Sequence, residues 1–396
     1  MRRRMPLLAR VFIQIISILL TVVITAVITI GVVNPFGPLE FGRFLSFNMA
    51  IHRINTLYYG GVTAQQLFDG AMRGVFEAVG DPYTVFISQE EADAFTIMME
   101  GSLYGIGVRI AQSLDSENVI VVEVFANSPA EGAGILSGDY ILYVDGEPVF
   151  DSVDASSRIR GPEGTTVVVT LHRHDSGEIE ELTIIRGRVE IPTVEARKFD
   201  GDIAYFAISQ FARTTSGEFA TRVSELDFEP RGVIIDLRNN NGGLIDVAVD
   251  IADMFLPRRT LVVYSEGRGS PRREYRARTN EYIDVPLVLI VNGNSASASE
   301  ILLGAFRDHG RAISVGETTF GKGVVQTSLP MGRGRVNITS ARYFTPGGYD
   351  IDGQGITPDV PVFLPDEWWL MPGFMSLEQD TQLQTAISEL QRLIGE

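Results

Sequence analysis

The run V-P-L-V-L-I-V from Val285 to Val291 admits few folds. Seven residues without a charge, bounded by breakers, form a strand buried on both faces, and such strands belong to sheets covered by helices on either side. The run enters Asn292-Gly293-Asn294 and then an Ala- and Leu-rich helix, so it reads as strand, tight turn and helix start. Strands at Ile203 to Ile208 and Val233 to Leu237 alternate with helical patterns at Ser216 to Leu226 and Leu244 to Phe255. Residues 190–365 are therefore expected to form an α/β core.

The helix start carries three serines, Ser295, Ser297 and Ser299, where unpaired backbone N–H groups and the positive end of a helix dipole converge. An oxyanion forming there would be stabilised, so each serine competes as a nucleophile. Ser295 reads most economically as the N-cap, Ser299 as a hydrogen-bonding or packing residue, and Glu300 as structural. The base is suggested by residue usage. Among 33 basic residues lysine stands only at Lys198 and Lys322, the latter between two glycines in G-E-T-T-F-G-K-G-V-V-Q. A guanidinium keeps its proton in a protein, whereas a desolvated ammonium can lose it. The four histidines, His52, His172, His174 and His309, lie in no motif that suggests a His-dependent triad. Before the serines, D-L-R-N-N-N-G-G-L-I from Asp236 to Ile245 follows a strand and opens a helix, with Gly242 and Gly243 allowing a close backbone approach. Arg238 and the three asparagines brace this loop.

Together S-A-S-A-S-E-I, G-x-T-x-F-G-K-G-x-x-Q and D-L-R-N-N-N-G-G-L-I resemble the carboxy-terminal processing, or tail-specific, protease family. The family has proline or glycine where this chain has Asn241. The resemblance implies a ClpP/crotonase-like core, with Ser297 as nucleophile, Lys322, 25 positions later, as general base, and Gln326 orienting the lysine. It also implies an oxyanion hole from amides near Gly242, Gly243 and Ala298, and no metal, nucleotide or other cofactor. The Gln326 assignment carries a geometric demand. On a straight strand Lys322 and Gln326 would stand about 13 Å apart at about 3.3 Å per residue. Direct contact requires a bend or helical turn after Gly323.

Residues 101–189 change to short β-rich runs: Tyr104 to Ala111, Val119 to Val124, Ile141 to Val144, Val167 to His172 and Ile179 to Ile185. Asp145-Gly146 is a hairpin turn between two of them. With helices from about Ala130 and near Asp151 to Ile159, and S-P-A-E-G-A-G-I-L-S-G-D-Y-I-L in the family's position, this stretch resembles an inserted bacterial PDZ domain. Tyr104-Gly105-Ile106-Gly107 occupies the place of its carboxylate-binding loop, and the strand that follows can accept an added strand. The implied partners are protein substrates with free C-terminal tails.

The 23 residues from Val11 to Val33 carry no charge and would extend roughly 35 Å as a helix at about 1.5 Å per residue, enough to cross a bilayer. Arg2, Arg3, Arg4 and Arg10 precede the run, no acid does, and no A-x-A site follows it. A retained single-pass signal-anchor is expected over a cleaved signal peptide, with residues 1–10 as a cytoplasmic tail and the catalytic part on the periplasmic or cell-surface side. Residues 34–100 are expected to be a helical segment, starting in a breaker-rich exit at Asn34 to Pro38, broken by Asp81-Pro82-Tyr83-Thr84 and capped again at Ser88. Residues 366–396 read as a C-terminal helical packing or assembly element, compatible with a homo-oligomer. A net charge of −17 with those arginines at one end makes the rest more acidic still, which argues against nucleic acid. Without cysteine there is no disulfide, thiolate catalysis or Cys-based zinc site.

The resulting expectation is a membrane-anchored, ATP-independent Ser/Lys endopeptidase acting on C-terminal regions of extracytoplasmic proteins. Two alternatives stand beside it: a catalytically silent PDZ adaptor presenting tails to another protease, and a crotonase-like acyl-transfer enzyme. The three reactive positions together argue against the first. Against the second stands the lack of basic features for a coenzyme A ligand.

Overall fold

A computed structural model describes residues 12, 14–22, 25, 41–113, 118–268, 270–365 and 376–395. Most of the expected membrane span, residues 11–33, lies outside these. Among the described residues no helix is long and apolar enough to cross a membrane.

The chain divides into two compact units at Gly80/Asp81. The first contains helices Phe41–Leu57 and Ala64–Glu77, the second of which starts in a Thr63/Gln66 capping box. The division cuts the expected helical segment 34–100, because residues 81–100 belong to the second unit. There the Asp81 turn is followed by strand Val85–Ile87, which pairs with Arg335, Val336 and Asn337. Ser88 then caps helix Gln89–Glu100 through a capping box with Glu91.

Within the second unit, Val194–Phe199, Ile203–Ile208, Gly232–Asp236, Leu287–Val291, Ile313–Gly316 and Val360–Pro361 form a six-stranded sheet in that order. The first pair is antiparallel and the others are parallel. All five residues of Leu287–Val291 are buried, as a central parallel strand requires. The period-two alternation of a strand divides the core into two layers. Ala204, Phe206, Val233, Ile235, Leu287 and Leu289 meet Phe219, Ile251, Ile301 and Phe306 from helices Thr215–Ser224, Ile245–Asp253 and Ala298–Asp308. Ile203, Tyr205, Ile234, Val288 and Ile290 instead meet Leu383, Ala386 and Leu390 of helix Thr381–Ile394. The C-terminal helix is thus the second cover of the core sheet. A second sheet, containing Val324–Met331 and Gly334–Phe344, lies beside this core.

The β-rich region forms its own sheet around a core of Ile106, Val121, Ile141, Val169 and Leu171. Asp145 and Gly146 make the expected hairpin with φ of 52° and 78°. The expected single run from Tyr104 to Ala111 is divided. Ser102–Gly105 pairs with Gly187–Glu190, while Val108–Gln112 pairs with Val119–Val124 in a different sheet. The turn at Ile106-Gly107 transfers the chain between them, burying Ile106 completely.

Candidate active site

The loop at Asp236–Gly243 is built before any chemistry is placed on it. Arg238 is buried and donates to Asp236 at the end of its strand and to Asp380, the N-cap of the C-terminal helix. These two carboxylates hold its guanidinium well above the ordinary arginine range, against the effect of burial. Asn239 exchanges hydrogen bonds with Asn292, and the Asn240 side chain donates to the Ile208 carbonyl. Asn240 also accepts from the Ala296 amide and the Ser299 hydroxyl. Bracing by Arg238, Asn239 and Asn240 follows the expectation, whereas Asn241 is exposed.

The three serines separate by their bonds. The Ser295 hydroxyl donates to the Leu237 carbonyl (2.8 Å) and accepts from the Asn292 amide (2.9 Å); that of Ser299 donates to the Asn240 carbonyl. Both tie the helix start to neighbouring loops. Ser295 is therefore not the N-cap expected from local sequence; the cap position is Ser297, and the helix begins at Ala298. Among the described residues the Ser297 hydroxyl donates to no carbonyl. Its backbone has φ 54° and ψ −109°, a conformation that costs a β-carbon-bearing residue of order 1–3 kcal/mol. Surrounding bonds hold it there, and strain of this kind concentrates at functional positions.

Glu300 supplies the main constraint. It is fully buried, and its two oxygens accept four hydrogen bonds: from the Thr319 hydroxyl (2.6 Å) and Gly321 amide (2.7 Å) on one, and from the Lys322 (2.9 Å) and Ser297 (2.8 Å) amides on the other. Burial pushes this carboxyl above its usual range and the four donors oppose that. With every acceptor direction filled, the geometry accommodates the ionised form. Because the Ser297 and Lys322 amides share a single oxygen, the two backbones are brought together across the helix start. Expected to be merely structural, Glu300 is what joins these two segments.

Lys322 sits in a turn that its flanking glycines make possible. A β-carbon on Gly321 would stand 2.8 Å from the Gly355 nitrogen, and one on Gly323 would stand 2.4 Å from the Asp352 nitrogen. Burial lowers the Lys322 amine below the ordinary lysine range. Among the described residues it has no ion pair. Its Nζ lies 5.1 Å from the centroid of the Tyr83 ring. Gln326 is on strand Val324–Met331, where a register shift falls between Val325 and Gln326. Its amide donates to the Tyr83 carbonyl at 2.6 Å. Lys322 and Gln326 therefore converge on Tyr83, a residue read from sequence only as part of a helix break.

Gly242 and Ala298 meet at Ser297. A β-carbon on Gly242 (φ 99°) would stand 2.8 Å from Ser297 Cβ and 3.0 Å from the Ala298 nitrogen. The Gly242 amide itself donates to the Asn240 side chain at 2.8 Å, so its contribution is close approach, not a free donor. The amides of Gly243 and Ala298 have no hydrogen-bond partner among the described residues. The backbone of the strained serine is thus tied through Glu300 to that of Lys322, whose amine has no carboxylate partner among the described residues, and the Ala298 amide beside it and the Gly243 amide after Gly242 are open.

In the β-rich region, Tyr104 and Gly105 end one strand, Ile106 is buried and Gly107 immediately precedes the next. Among the described residues Val108–Gln112 is paired on one side only, leaving an open edge beside helix Ser152–Ile159. The end of that helix is held by the buried Arg186, which donates to the Arg158, Ile159 and Thr166 carbonyls. No sequence pattern singled out Arg186.

Residues 202–362 match peptidase family S41, and residues 104–185 match the PDZ domain. The chain is 31% identical over 334 residues to a carboxy-terminal-processing protease of Bartonella bacilliformis, covering 82% of this chain and 76% of that protein. It is 33% identical over 328 residues to the carboxy-terminal processing protease CtpA of Bacillus subtilis, covering 82% and 70%. Among solved structures it is similar to a photosystem II D1 C-terminal processing protease, with 30% identity, coverage of 85% and 91%, and a TM-score of 0.47. From its sequence relatives and its two domain matches, the chain belongs to the carboxy-terminal processing serine proteases of peptidase family S41.

Proposed function

We propose that the chain is a membrane-anchored Ser/Lys endopeptidase that captures the free C-terminal tails of extracytoplasmic proteins. The observation that carries the catalytic reading is the shared Glu300 oxygen, which brings the Ser297 and Lys322 backbones together. Neutral Lys322 takes the Ser297 proton as the oxygen attacks the scissile carbonyl. The Gly243 and Ala298 amides receive the oxyanion in a position water would otherwise have to solvate. Lys322 then returns the proton to the leaving amine, and water hydrolyses the acyl-enzyme by the same route. Gln326 acts through the Tyr83 segment. The open edge of Val108–Gln112 supports tail capture by β-augmentation, with the Tyr104–Gly107 loop receiving the terminal carboxylate. Anchoring through residues 11–33 and an extracytoplasmic catalytic part rest on the uncharged run and the arginines before it.

The test is turnover of an unfolded protein with a free C-terminus against the same protein amidated there. The wild-type chain is expected to cleave the free acid faster, and Ser297→Ala to cleave neither. Activity surviving in Ser297→Ala would remove the nucleophile assignment, and equal turnover of the two substrates would remove carboxylate capture. Digestion of the catalytic part by protease added to spheroplasts is expected; protection would reverse the topology.

A further inference from the structure

The Asp81–Thr84 turn is built independently of the catalytic loops and is then fastened to them. Asp81 accepts from the Tyr83 amide (3.0 Å) and the Thr84 hydroxyl, and its carbonyl accepts from the Thr84 amide. The Thr84 hydroxyl in turn accepts from the Thr339 amide at 3.0 Å, on the strand that also pairs with Val85–Ile87. These bonds fix the Tyr83 backbone, whose carbonyl holds Gln326, and leave the ring face 5.1 Å from Lys322 Nζ.

We propose that Tyr83 is a positioning residue for the base: its ring face receives the ammonium that Lys322 becomes on taking the serine proton. The inference rests on the Ser297–Lys322 reading. The charged groups that act on the Tyr83 ring are Asp352, Glu300 and Asp81. Glu300 is committed to four other donors, and none of the three acids forms an ion pair with Lys322 among the described residues. Burial and these acids together push the Tyr83 hydroxyl above its ordinary range, so the ring stays neutral at working pH.

Magnitude decides why a ring suits this place. A carboxylate beside an ammonium favours the charged form by about 1–3 pH units, enough to keep the base protonated. A ring face within about 6 Å favours the cation by roughly half a unit to somewhat over one unit. That eases formation of the ammonium during attack yet allows its loss afterwards. The Gln326 bond goes to the Tyr83 backbone, so a change of side chain need not disturb it.

The test uses the chain's two lysines. Carbon-13 lysine labelling of the full chain gives one titrating signal each for Lys198 and Lys322, assigned with Lys198→Arg. Tyr83→Phe keeps the ring face and is expected to leave the Lys322 midpoint at the wild-type value. Tyr83→Leu keeps apolar bulk without the face and is expected to lower the midpoint by about half a pH unit or more, about threefold in the ionisation constant. The rising limb of kcat/KM for a short peptide is expected to move with it, while Lys198 does not shift. An unchanged or raised midpoint in Tyr83→Leu relative to Tyr83→Phe would overturn the proposal. Should Tyr83→Leu fail to fold, pentafluorophenylalanine incorporated in place of Tyr83 keeps the ring's shape with its face polarity reversed. It must lower the midpoint relative to Tyr83→Phe, and equality would overturn the proposal. A midpoint that moves without the kinetic limb would instead count against Lys322 as the base and leave the ring contact standing.

Discussion

The chain's two lysines occupy opposite surroundings. Lys198 is on the edge strand Val194–Phe199, its side chain 49% exposed, paired with Asp202 at 2.9 Å and set over the Phe228 ring at 4.1 Å. Lys322 is half-buried in the Thr319–Gly323 loop, over an aromatic ring but without a carboxylate partner among the described residues. Lys198 has an anionic partner, a ring face and water; Lys322 has, among the described residues, the ring face alone. Burial makes the ammonium easier to discharge at Lys322, and that comes from the surroundings, not the side chain.

The sharpest way to break this comparison is to replace each lysine by arginine. Lys322→Arg keeps a cation but cannot act as a neutral base, and activity is expected to fall about 10²–10⁴-fold. Lys198→Arg is expected to stay within about twofold, because its exposed ion pair survives the exchange. Both are assayed on one unfolded substrate after folding is verified. A Lys322→Arg enzyme within about tenfold of wild type, roughly 1.4 kcal/mol in the barrier, would return Lys322 to a structural role.

A smaller effect separates the acids beside the two lysine segments. Glu300→Gln replaces one buried acceptor oxygen by an amide group facing N–H or O–H donors. A loss of about 1–3 kcal/mol in denaturant unfolding is expected, with reduced turnover. Asp202→Asn is expected to change stability by no more than about 1 kcal/mol, since it breaks only an exposed pair. Equal losses would mean that Glu300 does not hold the Ser297 and Lys322 segments together.

The pH profile is the gentlest probe. Burial depresses the Lys322 value, so the neutral form appears as pH rises through a midpoint below the ordinary lysine range. Activity should rise across that midpoint and be unaffected by Lys198→Arg. A profile without a rising basic limb would contradict a lysine base.

Much of the core was legible locally. Uniform apolar runs announced Leu287–Val291 and Ile203–Ile208, and the capping box at Ser88 announced Gln89–Glu100. The candidate nucleophile and lysine were legible from residue type and family motifs. Less legible were the competitors and supports. Local preference made Ser295 an N-cap, but the Leu237 carbonyl, 58 positions away, claims its hydroxyl. The run from Tyr104 looked continuous because alternation does not reveal that Ile106-Gly107 leads from one sheet into another.

By itself the sequence determined which segments become buried strands and amphipathic helices, and which rare side chains carry reactive groups, because those properties depend on spacing over a few residues. The tertiary structure alone decided that Glu300 joins Ser297 to Lys322, that Asp380 braces Arg238, and that Gln326 reaches Tyr83 across 243 positions. Such bonds form because buried donors and acceptors must find partners once water is excluded. Which partner each one finds is set by how the sheets and helices close around it, and no local pattern encodes that closure.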